Sequence, residues 1–107
     1  MDKGDLKAAQ RFAARLRERM GNEEVQVILY GSRARRDSTL FSDMDICIIG
    51  KEWNKELRDK IYEVAWEVSF EEGMVIVPVI FEEKEWLDSP LSESPFCKAV
   101  RREGIKL

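Results

Sequence analysis

Two aspartates separated by a single residue, Asp43 and Asp45, begin an apolar run that extends to Gly50. In a β-strand, residues i and i+2 point to the same face, roughly 6.8 Å apart along the backbone, so the two carboxylates would share one face while Met44 faces a core. Like charges held side by side repel each other, and Mg²⁺ prefers oxygen ligands of this kind. Taken alone, the triplet is explained better by two solvated acids at the start of a strand. Its surroundings favour a metal site.

A glycine–serine pair followed by arginines precedes the aspartates in the chain. Gly31 permits a tight turn and a close approach of the backbone to a ligand. Ser32 offers a hydroxyl and a backbone N–H to phosphate oxygens, and Arg33, Arg35 and Arg36 carry guanidinium groups suited to phosphate. No G-K-[ST] sequence is present, which excludes a Walker-type site. Singly, these residues fit an ordinary turn and a solvated basic face; combined with the aspartate pair, they indicate a site for a metal-bound nucleotide.

The composition of the 107-residue chain excludes several kinds of chemistry. There is no histidine, which removes Ser-His-Asp and Cys-His mechanisms and every zinc site that contains histidine. The formal net charge of −3 argues against a general binder of polyanions. Cys47 and Cys97 lie far apart and outside any C-x-x-C spacing, so we expect reduced, buried thiols rather than a disulfide.

The sequence carries no signal for a membrane or for export. Its longest apolar run, Met74–Phe81, is far shorter than the roughly 20 residues that cross a bilayer. Met1–Leu16 is amphipathic and charged throughout, unlike a signal peptide. With 44% apolar and 36% charged residues, the chain is expected to be a folded cytoplasmic protein with no membrane partner.

Hydrophobic periodicity predicts the elements that must position the candidate residues. In chain order we predict a helix over Asp5–Met20, a strand over Val25–Tyr30, a short helix over Arg33–Arg36, a loop over Asp37–Phe41, a strand over Met44–Ile49, a helix capped by Asn54 and stopped by Gly73, a strand over Met74–Phe81, a helical turn over Glu83–Leu87, a loop over Asp88–Ser94, a helix over Pro95–Glu103 and a short strand over Ile105–Leu107. Pro78 cannot donate to a β-ladder, so the third strand is expected at an edge.

The order of these helices and strands predicts one domain over residues 1–107 of the α/β (α+β) class, a small mixed sheet with helices packed on it in a two-layer fold.

One stretch resembles a known family. Gly31-Ser32, ten intervening residues and Asp43-Met44-Asp45 match the G-S-x(10)-D-x-D pattern of the nucleotidyltransferase superfamily that includes DNA polymerase beta. The longer string LYGSRARRDSTLFSDMDICII is similar to the minimal nucleotidyltransferases of archaea and bacteria, among them the antitoxins of HEPN/MNT toxin–antitoxin pairs. The match covers about Val27–Ile49.

The resemblance implies a function and a set of site residues. Gly31 and Ser32 would grip the triphosphate of an NTP, with ATP the expected substrate and Arg33 a helper. Asp43 and Asp45 would be the catalytic and metal-binding residues and would hold Mg²⁺, expected as two ions. The reaction would transfer a nucleoside monophosphate to an acceptor hydroxyl and release pyrophosphate. In the antitoxin members the acceptor is a tyrosine of the toxin, so a HEPN-type toxin is the expected protein partner, and a homodimer is left open.

The sequence departs from the family pattern at a third carboxylate. The superfamily places this group on the third strand, beside the metal pair, whereas the run from residue 74 to residue 81 contains no acid. Glu71 and Glu72 precede the run, and Glu82 and Glu83 follow it. Each is explained well as a solvated acid at the end of an element.

Two functions therefore stay open. One is an active enzyme that modifies a partner macromolecule, recognised by a partner subunit or by the domain's own surface. The other is a nucleotidyltransferase fold that acts as an antitoxin by binding and masking its partner, with Trp53, Trp66, Trp86 and Phe96 as contact residues unless they belong to the core. Nucleic acid is disfavoured as a partner because the basic residues are few and no aromatic residue is interleaved with them.

Overall fold

The computed structural model of the protein describes residues 3–21, 23–30, 43–87 and 90–107. The predictions on Gly31, Ser32 and Arg33 lie outside these residues, as do the short helix and the loop expected between positions 33 and 41.

The described residues form four helices, four strands and one 3-10 turn. In chain order they are α1 (Lys3–Met20), β1 (Val25–Tyr30), β2 (Met44–Gly50), α2 (Lys55–Glu72), β3 (Ile76–Glu82), α3 (Glu83–Leu87), the 3-10 turn (Pro90–Glu93), α4 (Pro95–Glu103) and β4 (Ile105–Lys106). The predicted helices and strands in this part of the chain are confirmed, although β3 begins two residues later than expected. The predicted loop before α4 was wrong in part, because it contains the 3-10 turn.

Both ends of α2 are fixed by the residues that the sequence indicated. The Asn54 side chain accepts a hydrogen bond from the Leu57 N–H at 2.8 Å, as an N-cap does. Gly73 ends the helix in the left-handed conformation, with φ of 68°, which costs glycine little because it has no Cβ. The local signals are therefore sufficient to set the length of this helix.

The strands form one mixed sheet in the order β3-β2-β1-β4. β1 pairs antiparallel with β2 and with β4, whereas β2 and β3 are parallel. Pro78 lies on β3, at the edge of the described sheet, as predicted from its missing N–H. β2, which contains Asp45, is thus paired with a neighbouring strand on both sides.

The two faces of the sheet carry separate hydrophobic clusters. On β2, Met44, Ile46 and Ile48 belong to the larger cluster, which packs against α1 and α2. Cys47 and Ile49 point the other way, into a smaller cluster with residues of α3 and α4. The predicted class, a small mixed sheet with helices packed on it, is confirmed, and strand alternation assigns Asp45 to the face covered by α3 and α4.

An ion-pair cluster joins the outer sides of α1 and α2. The Arg15 guanidinium donates to both carboxylate oxygens of Glu71, at 2.7 and 2.8 Å, and to Glu67 at 3.3 Å. Arg19 donates to Glu67 at 2.7 Å. The cluster links the two helices at the surface, outside the core.

Across the described residues, no helix combines the length and the apolar character that crossing a membrane requires.

Candidate functional site

The two candidate metal ligands lie at the start of β2. Asp43 directly precedes the strand and is exposed, whereas Asp45 is its second residue and is half-buried. The Met44 N–H between them donates to the Val75 carbonyl at 2.8 Å and so anchors this end of the strand to the chain that leads into β3. The backbone that carries both carboxylates is therefore held on one side by a neighbouring segment.

Strand register defines the neighbours of Asp45. It pairs with Tyr30 on the antiparallel strand β1 and with Val77 on the parallel strand β3. Tyr30 is the last residue of β1 and is followed in the chain by Gly31. The aspartate pair thus lies beside the point at which the chain leaves β1 toward the glycine–serine pair.

The electrostatics of the pair suit a cation. Burial raises the pKa of the Asp45 carboxyl, and the negative charge of Asp43 raises it further. Ionised carboxylates in this arrangement gain from a neutralising positive charge, and hard divalent ions take oxygen ligands. The described residues include no group of three or more Cys, Asp and Glu side chains that could hold a metal ion. The pair fits a metal whose remaining ligands come from a phosphate and water.

Aromatic contacts hold Tyr30 in place beside Asp45. The Tyr30 ring meets the Phe96 ring edge-on, with centroids 5.5 Å apart. Phe96 lies 6.1 Å from Phe81, which in turn lies 5.2 Å from Trp86. Sequence reasoning treated Tyr30 only as the end of a strand; its position directly before Gly31 is the one local signal that could have marked it.

Cys47 follows Asp45 on the same face of the sheet, but its thiol is not ionised. Both Cys47 and Cys97 are buried free thiols, as predicted. Burial raises the pKa of the Cys47 thiol to about 12, with smaller contributions from the neighbouring Cys97 and Asp45. The thiol therefore stays protonated at neutral pH, which argues against a role as a nucleophile.

The residue beside Asp45 on the third strand is apolar. Val77 lies beside Asp45 on β3 and, by strand alternation, shares its face. Glu82 pairs with Gly50 at the opposite end of the two strands, about 17 Å from Val77 along the strand, and Glu83 begins α3 beyond it. These two acids therefore lie far from the aspartate pair.

Glu71 and Glu72, which precede β3, form ion pairs with arginines of α1. Glu71 is paired with Arg15 and Arg11, and Glu72 with Arg11, at the side of α2 that faces α1. That side belongs to the layer on the opposite face of the sheet from Asp45. None of the four acids considered from the sequence lies next to the pair.

The aromatic residues suggested as contact residues divide into two groups. Trp86 is buried, and Trp53 is half-buried with its indole N–H donating to the Phe81 carbonyl at 2.8 Å. Phe96 packs beside Tyr30. Trp66 alone of the four has most of its side chain in solvent, with 70% exposed.

Comparisons with known proteins agree on the family. The family model described as "Nucleotidyltransferase domain" matches residues 9–103. A provisionally named protein adenylyltransferase of Methanocaldococcus jannaschii is 26% identical over 77 residues, which cover 69% of this chain and 52% of that protein. The chain thus spans about half the length of this curated relative.

Two solved structures share the fold. A crystal structure of a toxin–antitoxin with AMP-PNP superposes with a TM-score of 0.62 and 17% identity, over 92% of this chain and 70% of that chain. A provisionally named nucleotidyltransferase from Sulfolobus solfataricus superposes with a TM-score of 0.55 and 18% identity, over 99% of this chain and 87% of that chain. The resemblance drawn from the glycine–serine and aspartate motifs is therefore confirmed at the level of family and fold.

Proposed function

The chain belongs to the nucleotidyltransferase domain family, and on that premise we propose that it transfers a nucleoside monophosphate from an NTP to a hydroxyl of a partner macromolecule in a Mg²⁺-dependent reaction. One observation carries the proposal: the half-buried Asp45, whose charge is repelled by the exposed Asp43, pairs with Tyr30, the residue that leads into Gly31 and Ser32. The reaction needs metal-binding and phosphate-binding residues close together, and the family fold brings these residue types to neighbouring ends of β1 and β2.

The aspartates and the glycine–serine pair have separate roles in the proposal. Asp43 and Asp45 would hold Mg²⁺, and Gly31, Ser32 and Arg33 would bind the triphosphate through backbone N–H, hydroxyl and guanidinium groups. The bound metal would neutralise the charge of the triphosphate. ATP is the proposed nucleotide, which is supported by the AMP-PNP named for one structural neighbour and by the name of the adenylyltransferase relative.

The proposed reaction is a displacement at phosphorus. The acceptor oxygen forms a bond to the α-phosphorus, the bond from that phosphorus to the oxygen bridging to the β-phosphate breaks, and pyrophosphate leaves with that oxygen. The acceptor hydroxyl loses its proton. Because Val77 stands where a base could act beside Asp45, the proton would pass to water or to a group supplied by the acceptor. The described residues thus contribute positioning and charge rather than proton transfer.

A protein is the proposed acceptor. The relative from Methanocaldococcus jannaschii carries the name of a protein adenylyltransferase, and one structural neighbour comes from a toxin–antitoxin. Together with the resemblance to the antitoxins of HEPN/MNT pairs, these names support a proposal that the acceptor is a tyrosine hydroxyl of a partner protein and that this partner is a HEPN-type toxin. In that setting the chain would be the antitoxin.

A second function is favoured by one specific observation, the valine beside Asp45. Without an acid at this position, the chain could retain nucleotide binding, lose turnover and act as an antitoxin by covering its partner. The two functions differ in whether a covalent product forms.

Labelling decides between them. The full chain would be incubated with each of the four α-³²P-labelled NTPs, Mg²⁺ and lysate of its source organism. We expect one labelled protein with ATP, and no label with the double variant Asp43→Asn/Asp45→Asn. The matched control, Glu82→Gln/Glu83→Gln, removes two neighbouring acids at the far end of β3 and should leave labelling unchanged. Absence of label with all four nucleotides, in a protein that still binds Mg·ATP, would leave the masking function.

A further inference from the structure

Three exposed aromatic residues form a continuous ridge along α2. Tyr62, Trp66 and Phe70 are 52%, 70% and 79% exposed. They follow one another at steps of four residues, which places them on one face of a helix. The Trp66 and Phe70 rings are stacked, with centroids 5.9 Å apart and an interplanar angle of 17°. We call these three residues the aromatic ridge.

The ridge lies on the outside of the helical layer. The opposite side of α2 buries Ile61, Val64 and Val68 in the cluster shared with α1 and the sheet. Asp45 faces the other side of that sheet, toward α3 and α4. A partner that covers the ridge would therefore leave the proposed nucleotide site open.

The exposed area of the ridge is comparable to that of the largest apolar patch on a typical monomer. Aromatic side chains bury about 150–250 Å² each, so the three exposed fractions leave about 300–500 Å² of ring surface in water. The largest apolar patch on a monomer is often functional. The matching patches of two copies would supply about half of the area that a standard protein–protein interface buries.

We infer that the aromatic ridge is the interface of a homodimer in which two α2 helices pack antiparallel about a two-fold axis at Trp66. The spacing is the reason: Tyr62 and Phe70 lie one turn before and one turn after Trp66. Such a rotation brings Trp66 against the partner subunit's Trp66, and Tyr62 against the partner subunit's Phe70. A face that is symmetric about its central residue is self-complementary, as a two-fold interface requires.

A surface hollow beside the ridge could accommodate an aromatic ring of the second copy. It has a volume of about 530 Å³ and is lined by Tyr62 and Trp66 together with Asp59, Glu63 and Glu67. Phe70, the most exposed member of the ridge, is the residue that the two-fold rotation carries toward this hollow. Each copy would insert one phenyl ring and receive one.

The charges along the ridge permit a second copy to dock. Glu63 lies three residues before Trp66 and would meet the position three residues after it, Ser69. Asp59, seven residues before, would meet Gly73. No carboxylate faces a carboxylate in this pairing.

The same acids would attract a basic partner protein only weakly. Asp59 is paired with Lys55 at 2.9 Å, and Glu67 with Arg19 at 2.7 Å and Arg15 at 3.3 Å. Two of the three acids at the hollow are therefore already neutralised by residues of this chain. A second copy, which brings aromatic surface and no excess positive charge, is the better match.

Cross-linking tests the register of the pairing. In the full chain, Trp66→Cys should form a covalent dimer with a short bismaleimide. A mixture of Tyr62→Cys and Phe70→Cys chains should cross-link to each other, while either variant alone should react far less, because its two thiols would lie two helical turns apart. Cys47 and Cys97 are buried and provide the unmodified background. Equal cross-linking of Tyr62→Cys with itself would contradict the antiparallel register.

Sedimentation equilibrium tests the dimer itself. The wild-type chain should sediment as a dimer at micromolar concentration, and Trp66→Glu as a monomer with an unchanged circular dichroism spectrum. Leu87→Ser, which removes an exposed apolar residue from α3, is the matched control and should stay dimeric. If Trp66→Glu does not fold, Phe70→Ser provides the milder test. A monomeric wild-type chain would overturn the inference and leave the ridge to a different protein. Neither result bears on nucleotide transfer, which has its own labelling test.

Discussion

Asp45 carries a carboxylate that is half-buried next to a second negative charge, and both features raise its pKa. A charged side chain that destabilises the metal-free fold in this way is typical of a functional site. Asp45→Asn should therefore increase the free energy of unfolding at near-neutral pH with metal removed by EDTA, by about 1 kcal/mol.

The same variant should lose its response to metal. Added Mg²⁺ with ATP stabilises a chain that binds the pair in its folded state, so the wild-type melting temperature should rise and that of Asp45→Asn should not. Urea and thermal unfolding measure both effects. A variant that is less stable than wild type without metal would show that Asp45 has a structural role instead.

Val77 is the second informative residue, because it occupies the position beside Asp45 on β3. Val77→Asp would place a third carboxylate there, and a general base contributes about 10²–10⁴-fold to such reactions. We expect nucleotide transfer in the labelling assay to rise at least about tenfold, together with lower stability in EDTA from the added repulsion.

The control for this change is Val75→Asp, an equally small change at an exposed position before β3. It should alter neither labelling nor Mg·ATP binding. If Val77→Asp binds Mg·ATP as wild type does and transfers no faster, a missing base does not limit the reaction.

Sequence alone was sufficient to propose part of this candidate site, which stays a prediction. The alternation of a strand was sufficient to propose that Asp43 and Asp45 share a face, since it is a local property of the backbone. The identity of their neighbours was not, because Tyr30 and Val77 reach Asp45 through strand pairings that join distant parts of the chain. One antiparallel and one parallel register decide that a tyrosine and a valine stand there.

Between elements, the ion-pair cluster of α1 and α2 gives stability a pH dependence. Hydrogen bonds from Arg19 lower the pKa of Glu67, and hydrogen bonds from Arg15 lower the pKa of Glu71. A carboxyl whose pKa is lower in the folded state contributes stability above its unfolded pKa and loses that contribution as the pH falls through the folded pKa. The cluster should therefore weaken in acid.

Arg15→Gln tests this contribution. At near-neutral pH and low salt, the melting temperature should fall by a few degrees at most, because the ion pair lies at the surface, with Arg15 partly exposed and Glu71 exposed. The difference from wild type should shrink below the ordinary carboxyl range and in about 1 M salt, which screens exposed charges. Arg58→Gln, an exposed arginine on α2, is the control. A difference that persists in acid and in salt would point to lost packing of the arginine stem.

The sequence predicted the ends of those helices whose limits are set by nearby capping residues. Asn54, Gly73 and the Ser94–Pro95 pair set helix limits through caps and a fixed φ, all within a few residues. β3 begins at Ile76, two residues after the start of the apolar run, because pairing with Met44 of β2 decides where the strand begins and the apolar pattern does not record that pairing. The 3-10 turn was missed because the Ser92 carbonyl is held by Arg101, a contact between separate elements.

For the molecule as a whole, the sheet separates the proposed nucleotide site from the proposed dimer interface. The aspartate pair lies on the face of α3 and α4, and the aromatic ridge lies on the outside of α2, beyond the opposite face. A dimer formed through the ridge would carry two nucleotide sites that both remain accessible. Variants of one surface should therefore leave the other unaffected.

Calorimetric titration of ATP into the full chain, with and without Mg²⁺, tests the central claim most directly. We expect Mg²⁺-dependent binding by the wild type, at least tenfold weaker binding by Asp43→Asn/Asp45→Asn, and wild-type affinity for Trp66→Glu, which alters only the ridge. Circular dichroism should show all three chains folded. Equal Mg·ATP affinity in the wild type and the double aspartate variant would contradict the assignment of this pair as the metal site.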